Sequence, residues 1–269
     1  MTDKYAVIGN PIAHSKSPQI HKLFAEQTGQ DISYEKIEAP LDGFAATIER
    51  LRSEDYKGCS VTVPFKFEAF KLATQLSERA QAAQAVNTLT FEASRIFGDN
   101  TDGAGLVRDI ENNLRFGLEG KYVLLVGAGG AAYGAALPLA QACTQLAISN
   151  RTIEKAEQLT RSLVLKKLKN VSVFEHPDNR KFNLVINATS SGLRDDLPII
   201  PPSIFASGAL AYDMMYGRET PFMKFARNHG AAIVADGLGM LVEQAAEAFY
   251  IWRGVRPDTA TVIAALRQQ

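Results

Sequence analysis

Three short stretches carry side chains able to do chemistry. In Val61-Thr62-Val63-Pro64-Phe65-Lys66 a lysine stands just past an apolar run of strand length, with Pro64 near the first position of the next helix. Strand ends in open α/β sheets are where ligands bind. An ammonium there can donate to a carbonyl oxygen that gains negative charge, or exchange a proton with an alcohol. In Gly98-Asp99-Asn100-Thr101-Asp102-Gly103 the Asp102 carboxylate reads as a turn residue, a helix cap or a catalytic group. A Lys–Asp pair makes chemical sense, because the carboxylate holds the ammonium in position and influences its pKa. Sequence spacing leaves open whether Lys66 and Asp102 meet.

The third stretch is GNPIAHSKSP, Gly9 to Pro18, directly after the apolar run Tyr5–Ile8. Its residue types allow a nucleophile with its base, a metal half-site, an anion cradle or an ordinary helix cap. Ser17 before Pro18 fits the cap position of a helix. A helix N-terminus preceded by hydroxyl groups also suits an anion. The metal readings fail on spacing: His14, His21, His176 and His229 form no HxxxH or HExxH pattern, and Cys59 and Cys143 lie near no histidine. No G-x-S-x-G elbow surrounds any serine, which disfavours a serine hydrolase.

A fourth stretch binds rather than reacts. In Val123–Gly134, VLLVGAGGAAYG, Gly127 and Gly129 with Ala132 satisfy G-x-G-x-x-G/A after a buried strand and before a helix. Gly127 permits the tight turn, Gly129 lets the backbone approach a pyrophosphate, and Ala132 lets helix and strand pack closely. The helix N-terminus adds amide donors and partial positive charge. The next strand ends in Ser149-Asn150-Arg151-Thr152, where a chain preferring NAD carries a carboxylate about 20 residues past the glycines. No carboxylate appears before Glu154, and a guanidinium at Arg151 reads either as a group that tolerates the 2′-phosphate of NADP, favouring NADP over NAD, or as a surface residue starting the next helix.

These stretches need a scaffold that presents strand ends, and the rest of the chain supplies one. Apolar runs of strand length alternate with helical patterns nearly throughout, which predicts α/β architecture with largely parallel sheets. The first part reads as strands Tyr5–Ile8, Ser33–Ile37 and Cys59–Val63 alternating with helices Pro18–Gln27, Gly43–Arg52 and Phe65–Thr74. Val86–Phe91 and Ser94–Phe97 read as a hairpin. A second α/β unit then follows, through Tyr122–Val126, Ala147–Ser149, Val171–Phe174, Leu184–Ile186, Ala209–Tyr212 and Ala232–Val234. Helical patterns Leu241–Trp252 and Pro257–Arg267 close the chain. Two domains are expected, with a boundary near Asp102 and the last helices returning to the first domain.

Gross composition fits a globular protein of 269 residues, with 46% hydrophobic and 22% charged residues. Lys plus Arg and Asp plus Glu both number 29, which gives no net charge to attract nucleic acid or an acidic membrane surface. The stretch Tyr122–Asn150 has no charged side chain, yet its glycines, Pro138 and late polar residues read as strand, turn, helix and strand rather than a membrane span. Two distant cysteines suit a reducing compartment, and a strand beginning near residue 4 leaves no room for a signal peptide. The expected location is the cytoplasm. Lys166, Lys167 and Lys169 read as a solvated helix end.

Taken together, GNPIAHSKSP, VTVPFK, AVNTL (Ala85–Leu89), GDNTDG, VGAGGAA (Val126–Ala132), NRT (Asn150–Thr152), NATSSG (Asn187–Gly192), DMMYG (Asp213–Gly217) and DGLGMLVEQAA (Asp236–Ala246) resemble the shikimate dehydrogenase family. The likeness runs in order from Val7 to about Phe249. It implies reversible NADPH-dependent reduction of 3-dehydroshikimate to shikimate, on the route through chorismate to aromatic amino acids. The implied fold is a substrate domain of residues 1–102 plus 238–269 and a doubly wound Rossmann NADP domain of residues 103–237. Carried over by motif, Lys66 and Asp102 would be the catalytic pair beside the C3 oxygen. Ser15 and Ser17 would bind the substrate carboxylate; Thr62, Asn87 and Gln244 would bond the ring hydroxyls, with Tyr216 near the substrate. Gly127, Ala128, Gly129, Gly130 and Ala131 would take the pyrophosphate, Asn150, Arg151 and Thr152 the 2′-phosphate, and Met214 and Gly237 the nicotinamide region. The implied cofactor is NADP, with no metal, and the protein would be a monomer or homodimer. Ser60 stands where many members have Asn. A quinate/shikimate dehydrogenase of relaxed cofactor and substrate choice is the nearest alternative, and a nucleotide-binding sensor without chemistry the more distant one.

Overall fold

The structure is a computed structural model that describes residues 2–175, 178–189 and 196–268. His176 and the Ser190-Ser191-Gly192 end of NATSSG lie outside the described residues. Two compact units divide the chain, one of Met1–Gly105 with Val242–Gln269 and the other of Leu106–Leu241.

The first unit carries strands β1 (Asp3–Gly9), β2 (Ile32–Glu38), β3 (Tyr56–Val61), β4 (Gln75–Leu76), β5 (Thr88–Phe91) and β6 (Ile96–Asp99) in the order β2-β1-β3-β5-β6-β4. Its helices are α1 (Ser17–Thr28), α2 (Phe44–Ser53), α3 (Lys66–Leu72), α4 (Glu78–Ala83) and the start of α5 (Asp102–Arg108). β1 pairs in parallel with β2 and β3, and the β5–β6 hairpin adds antiparallel to β3. Strands β4 and β6 run with β1, β2 and β3, so this sheet is largely parallel with β5 alone reversed, and the short turn between Glu92 and Arg95 joins β5 to β6 without a crossover helix. Ala6, Ile8, Cys59, Val61 and Leu89 from the strands pack with Phe44, Ile48, Leu51 and Phe65 in one core.

The second unit contains β7 (Tyr122–Val126), α6 (Gly130–Ala142), β8 (Gln145–Ser149), α7 (Ile153–Val164), β9 (Val171–Val173), β10 (Phe182–Asn187), β11 (Phe205–Asp213), α8 (Pro221–Asn228) and β12 (Ile233–Ala235). Its six strands run in parallel in the order β12-β11-β10-β7-β8-β9. From β7 the chain winds outward on one side and then restarts beside β7 with β10, the doubly wound plan with a switch point at β7/β10. Alternate residues of β7 serve two cores: Val123 and Leu125 pack with α6 and α7 residues, Leu124 and Val126 with Phe174, Phe182 and Phe222. This two-sided burial explains the charge-free run at Tyr122–Asn150, which forms β7, α6 and β8. Among the described residues no helix is long and apolar enough to cross a membrane.

The chain passes between the units inside α5 and again inside α9 (Leu238–Arg253), before α10 (Thr259–Arg267). Within the polar segment GDNTDG, Gly98 and Asp99 end β6, and Asp102 opens α5. After Arg108 the helix loosens into a π-turn at Asp109–Asn113, which the sequence pattern does not announce.

Candidate active site

Lys66 opens α3 and Asp102 opens α5, and the two meet. Lys66 Nζ donates to Asp102 Oδ2 at 2.6 Å, with the side chains 16% and 8% exposed. Asp102 Oδ1 accepts from Asn87 Nδ2 at 2.8 Å, so both carboxylate oxygens are held. Among the described residues Asp102 is the ammonium's hydrogen-bond partner, which leaves Lys66 N–H groups to meet a further acceptor.

Backbone and side chains together fix Asn87, just ahead of β5. Its amide donates to the Asp99 carbonyl and its carbonyl accepts from Val61, which ties it between β6 and β3. Its Oδ1 accepts from Thr101 N at 2.8 Å and Thr88 Oγ1 at 3.0 Å, which orients Nδ2 toward Asp102 and, at 3.3 Å, Gln244 Oε1. Thr101, absent from the sequence-predicted set, sits fully buried inside this cluster, with Nδ2 of Asn87 donating to its hydroxyl at 2.9 Å. Its position one residue before Asp102 in GDNTDG is the only signal that could have marked it.

A second ring of charges steadies the cluster. Arg79 makes a two-pronged bond to Asp99 at 2.7 and 2.9 Å and reaches Glu247 at 2.9 Å. Glu247 lies three residues after Gln244 on α9, on the same helix face. Burial raises the Glu247 pKa, but bonds from Arg256 and Arg79 outweigh it and hold the carboxyl below the ordinary glutamate range. Gly105 on α5 approaches α9 so closely that a Cβ would overlap Gln244. These residues escaped sequence reading because their partners lie far apart in the chain.

Ser15 and Thr62 lie on the loops after β1 and β3, and Ser17 is the first residue of α1. Thr62 N donates to the Ile8 carbonyl at 2.9 Å, and its methyl group lies where a Cβ on Gly9 would be. Asn10 N donates to the Val63 carbonyl, which joins the two loops. Ser15 Oγ donates to Ser17 Oγ at 3.2 Å and accepts from Ser17 N at 3.3 Å. Ser17 is not the helix cap: Ile20 N already bonds the Lys16 carbonyl, so Lys16 takes the cap position and Ser17 opens α1. Pro64 likewise falls outside α3, where Phe65 takes the cap position. Ser60 accepts from Tyr34 Oη at 2.8 Å.

The second unit holds the remaining candidates. Gly127 has φ of +120°, and a Cβ there would press on the Ala188 carbonyl at 3.0 Å. Gly127 N donates to the Ser149 carbonyl at 2.7 Å, which brings the glycine turn beside the end of β8. Gly129 has open space around it and caps α6 without a side chain, so backbone N–H groups face outward at the helix start. Ala128 lies in the turn, Gly130 and Ala131 open α6, and Ala132 is fully buried against β7. Asn150 donates to the Thr152 carbonyl at 2.9 Å and leaves Arg151 exposed, with no acid in the Ser149–Thr152 turn. This arrangement fits an NADP diphosphate at the helix N-terminus and its 2′-phosphate at Arg151. Met214 and Gly237 also meet: Gly237 N donates to the Met215 carbonyl at 2.8 Å, and a Cβ on Gly237 would overlap the Met214 carbonyl. Tyr216 follows on the same loop, half-buried, with its phenol pKa raised by burial. The NATSSG and DMMYG motifs join through Asn187 Nδ2, which donates to Asp213 Oδ2 at 3.1 Å.

Comparison with known proteins agrees along the whole chain. Residues 7–89 match the family model described as the shikimate dehydrogenase substrate binding domain, 110–195 shikimate / quinate 5-dehydrogenase, and 237–267 the shikimate 5′-dehydrogenase C-terminal domain. A shikimate dehydrogenase (NADP(+)) of Methylobacillus flagellatus is 59% identical over 267 residues, covering 98% of this chain and 99% of the relative. One of Nitrosospira multiformis is 56% identical, covering 99% and 98%. An Ael1 enzyme from Pseudomonas putida superposes with a TM-score of 0.92 at 50% identity, covering 98% of each chain. Shikimate 5-dehydrogenase from Thermus thermophilus, solved with NADP(H) and shikimate, gives 0.89 at 31% identity over 99% of each chain. With its glycine turn, its Lys66–Asp102 pair and these relatives, the chain belongs to the shikimate dehydrogenase family.

Proposed function

We infer that this chain catalyses the reversible NADPH-dependent reduction of 3-dehydroshikimate to shikimate, in the cytoplasm. The observation that carries the chemical reading is the Lys66–Asp102 pair at 2.6 Å, with Asn87 and Gln244 bonded beside it. Bound NADPH supplies the hydride. Lys66 then serves the C3 oxygen, which gains negative charge as its carbonyl is reduced, by donating a proton or stabilising the alkoxide. Asp102 holds the ammonium in position, and is itself fixed by Asn87. Thr62, Asn87 and Gln244 bond the ring hydroxyls, Tyr216 flanks the substrate, and Ser15 and Ser17 take its carboxylate with hydroxyl donors at the start of α1. Gly127 to Ala131 take the diphosphate, Asn150, Arg151 and Thr152 the 2′-phosphate, and Met214 and Gly237 border the nicotinamide.

The relaxed quinate/shikimate reading has one specific support, the shikimate / quinate description of the family model over residues 110–195. The Asn150-Arg151 pair weighs against relaxed cofactor choice, since no carboxylate there receives the ribose hydroxyls of NAD. A non-catalytic sensor would have no need of a partly buried, bonded Lys66–Asp102 pair. Initial rates of absorbance at the reduced nicotinamide band, with shikimate or quinate and NADP+ or NAD+, test all three. Shikimate with NADP+ should be fastest. Comparable rates with quinate or NAD+ would favour the relaxed enzyme, and no oxidation of shikimate would remove the catalytic reading.

A further inference from the structure

Asp109 is a buried carboxylate that the chemistry above does not use. It opens the π-turn after α5 and is 3% exposed. Tyr212 Oη donates to its Oδ2 at 2.6 Å, and Asn113 Nδ2 donates to its Oδ1 at 2.9 Å. Tyr212 is itself fully buried, and its phenol is pushed well above the ordinary range, first by burial and then by the Asp109 charge. The hydroxyl therefore stays protonated and donating. On its other side the carboxylate lies against Gly239, where a Cβ would overlap both oxygens. Gly239 is the second residue of α9, a helix of 16 residues, so the charge stands at a helix N-terminus that attracts it.

The two elements that Asp109 grips are those that bring Met214 to Gly237. Tyr212 lies two residues before Met214 on the strand side, and Gly239 two residues after Gly237 on the helix side. Between these grips the Met214 carbonyl and Gly237 pack with no room for a Cβ, and Gly237 N bonds the Met215 carbonyl. We propose that Asp109 is a positioning residue for the nicotinamide half of the cofactor: its carboxylate, clamped between Tyr212 and the start of α9, sets the Met214–Gly237 contact. The role rests on the reading of Met214 and Gly237 as the nicotinamide border.

Binding separates this role from a merely structural one. Adenosine 2′,5′-bisphosphate carries the 2′-phosphate and adenine but no nicotinamide, so it probes only the glycine-turn and Arg151 side. Calorimetric titration of the full chain with NADP+ and with this bisphosphate should be run on wild type, Asp109→Asn, Tyr212→Phe and Gly239→Ala. Asp109→Asn keeps an acceptor for Tyr212 but removes the charge from the helix end. Tyr212→Phe removes one hydroxyl and keeps the ring, which guards against a variant that fails to fold. The expected result is NADP+ affinity lowered about tenfold in the variants, with bisphosphate affinity within twofold of wild type. Equal loss for both ligands, or no loss for either, would overturn the proposal. Wild type that binds the bisphosphate but gains nothing from the nicotinamide would instead overturn the assignment of Met214 and Gly237. Then Asp109 would have no such border to position.

Discussion

Ser15 Oγ accepts the Ser17 amide and donates to the Ser17 hydroxyl, both at long distances of 3.3 and 3.2 Å in a half-buried loop. Such bonds contribute about 1 kcal/mol or less, so Ser15→Ala should leave thermal stability and NADP+ binding close to normal. A hydroxyl bond to a carboxylate contributes about 1.5–3 kcal/mol, so the KM for shikimate should rise about tenfold or more. A fall in melting temperature with an unchanged KM would make Ser15 structural. His21, six residues on and inside α1, shows the opposite logic. Its ring is fully buried, stacked on Tyr34 at 4.1 Å and edged by Phe24, with Phe249 and Trp252 nearby, and burial holds its pKa at about 3. Its folded pKa lies below the unfolded value near 6.5, so below that pH the unfolded chain binds the extra proton and stability falls with acidity. From pH 6.5 to 5 the loss from this residue should approach about 2 kcal/mol. Urea unfolding of wild type and His21→Phe at pH 7 and 5 checks it. The wild type should lose more stability than the variant on acidification, and equal losses would exclude His21 as the cause.

At the scale of elements, the turn after β7 and the end of β8 act as one part, because Gly127 N bonds the Ser149 carbonyl. Arg151 stands exposed on that part, next to an asparagine rather than an acid. Arg151→Ala should raise the KM for NADP+ about tenfold, the scale of one charge-assisted contact, and change NAD+ kinetics little. An equal effect on both cofactors would remove Arg151 from the 2′-phosphate. This part was legible in the sequence because its signals are local: a strand, glycines with defined tasks and a helix within one short run. Strands β7, β8, β10 and β11 were legible for the same reason, as apolar runs buried on both faces. The two-residue β4 and six-residue α4 were not, since neither is long enough to show a period. Nor was the π-turn at Asp109–Asn113, whose residues read as ordinary helix. The start of α1 was misplaced by one residue, because a serine before proline looks like a cap whether or not the backbone closes there.

At the scale of the whole molecule, the chain leaves its first unit within α5 and re-enters it within α9, so the first unit is built from both ends of the sequence. Gln244 joins Asn87 and Thr101 through this return, a relation that no local pattern encodes. The candidate residues could be named from motifs, but the Lys66–Asp102 bond, the buried Thr101 and the Arg79 bracket required the fold. The Lys66 ammonium belongs to the first unit and the glycine turn to the second. A substitution at Lys66 therefore touches the chemistry and leaves the cofactor unit as it was. The most direct measurement is kcat for shikimate oxidation with saturating NADP+, in wild type and Lys66→Ala. A group that acts on the proton in the transition state contributes about 10²–10⁴-fold, so kcat should fall by that factor. A variant that turns over at a rate near wild type would contradict the assignment of Lys66 to the reaction.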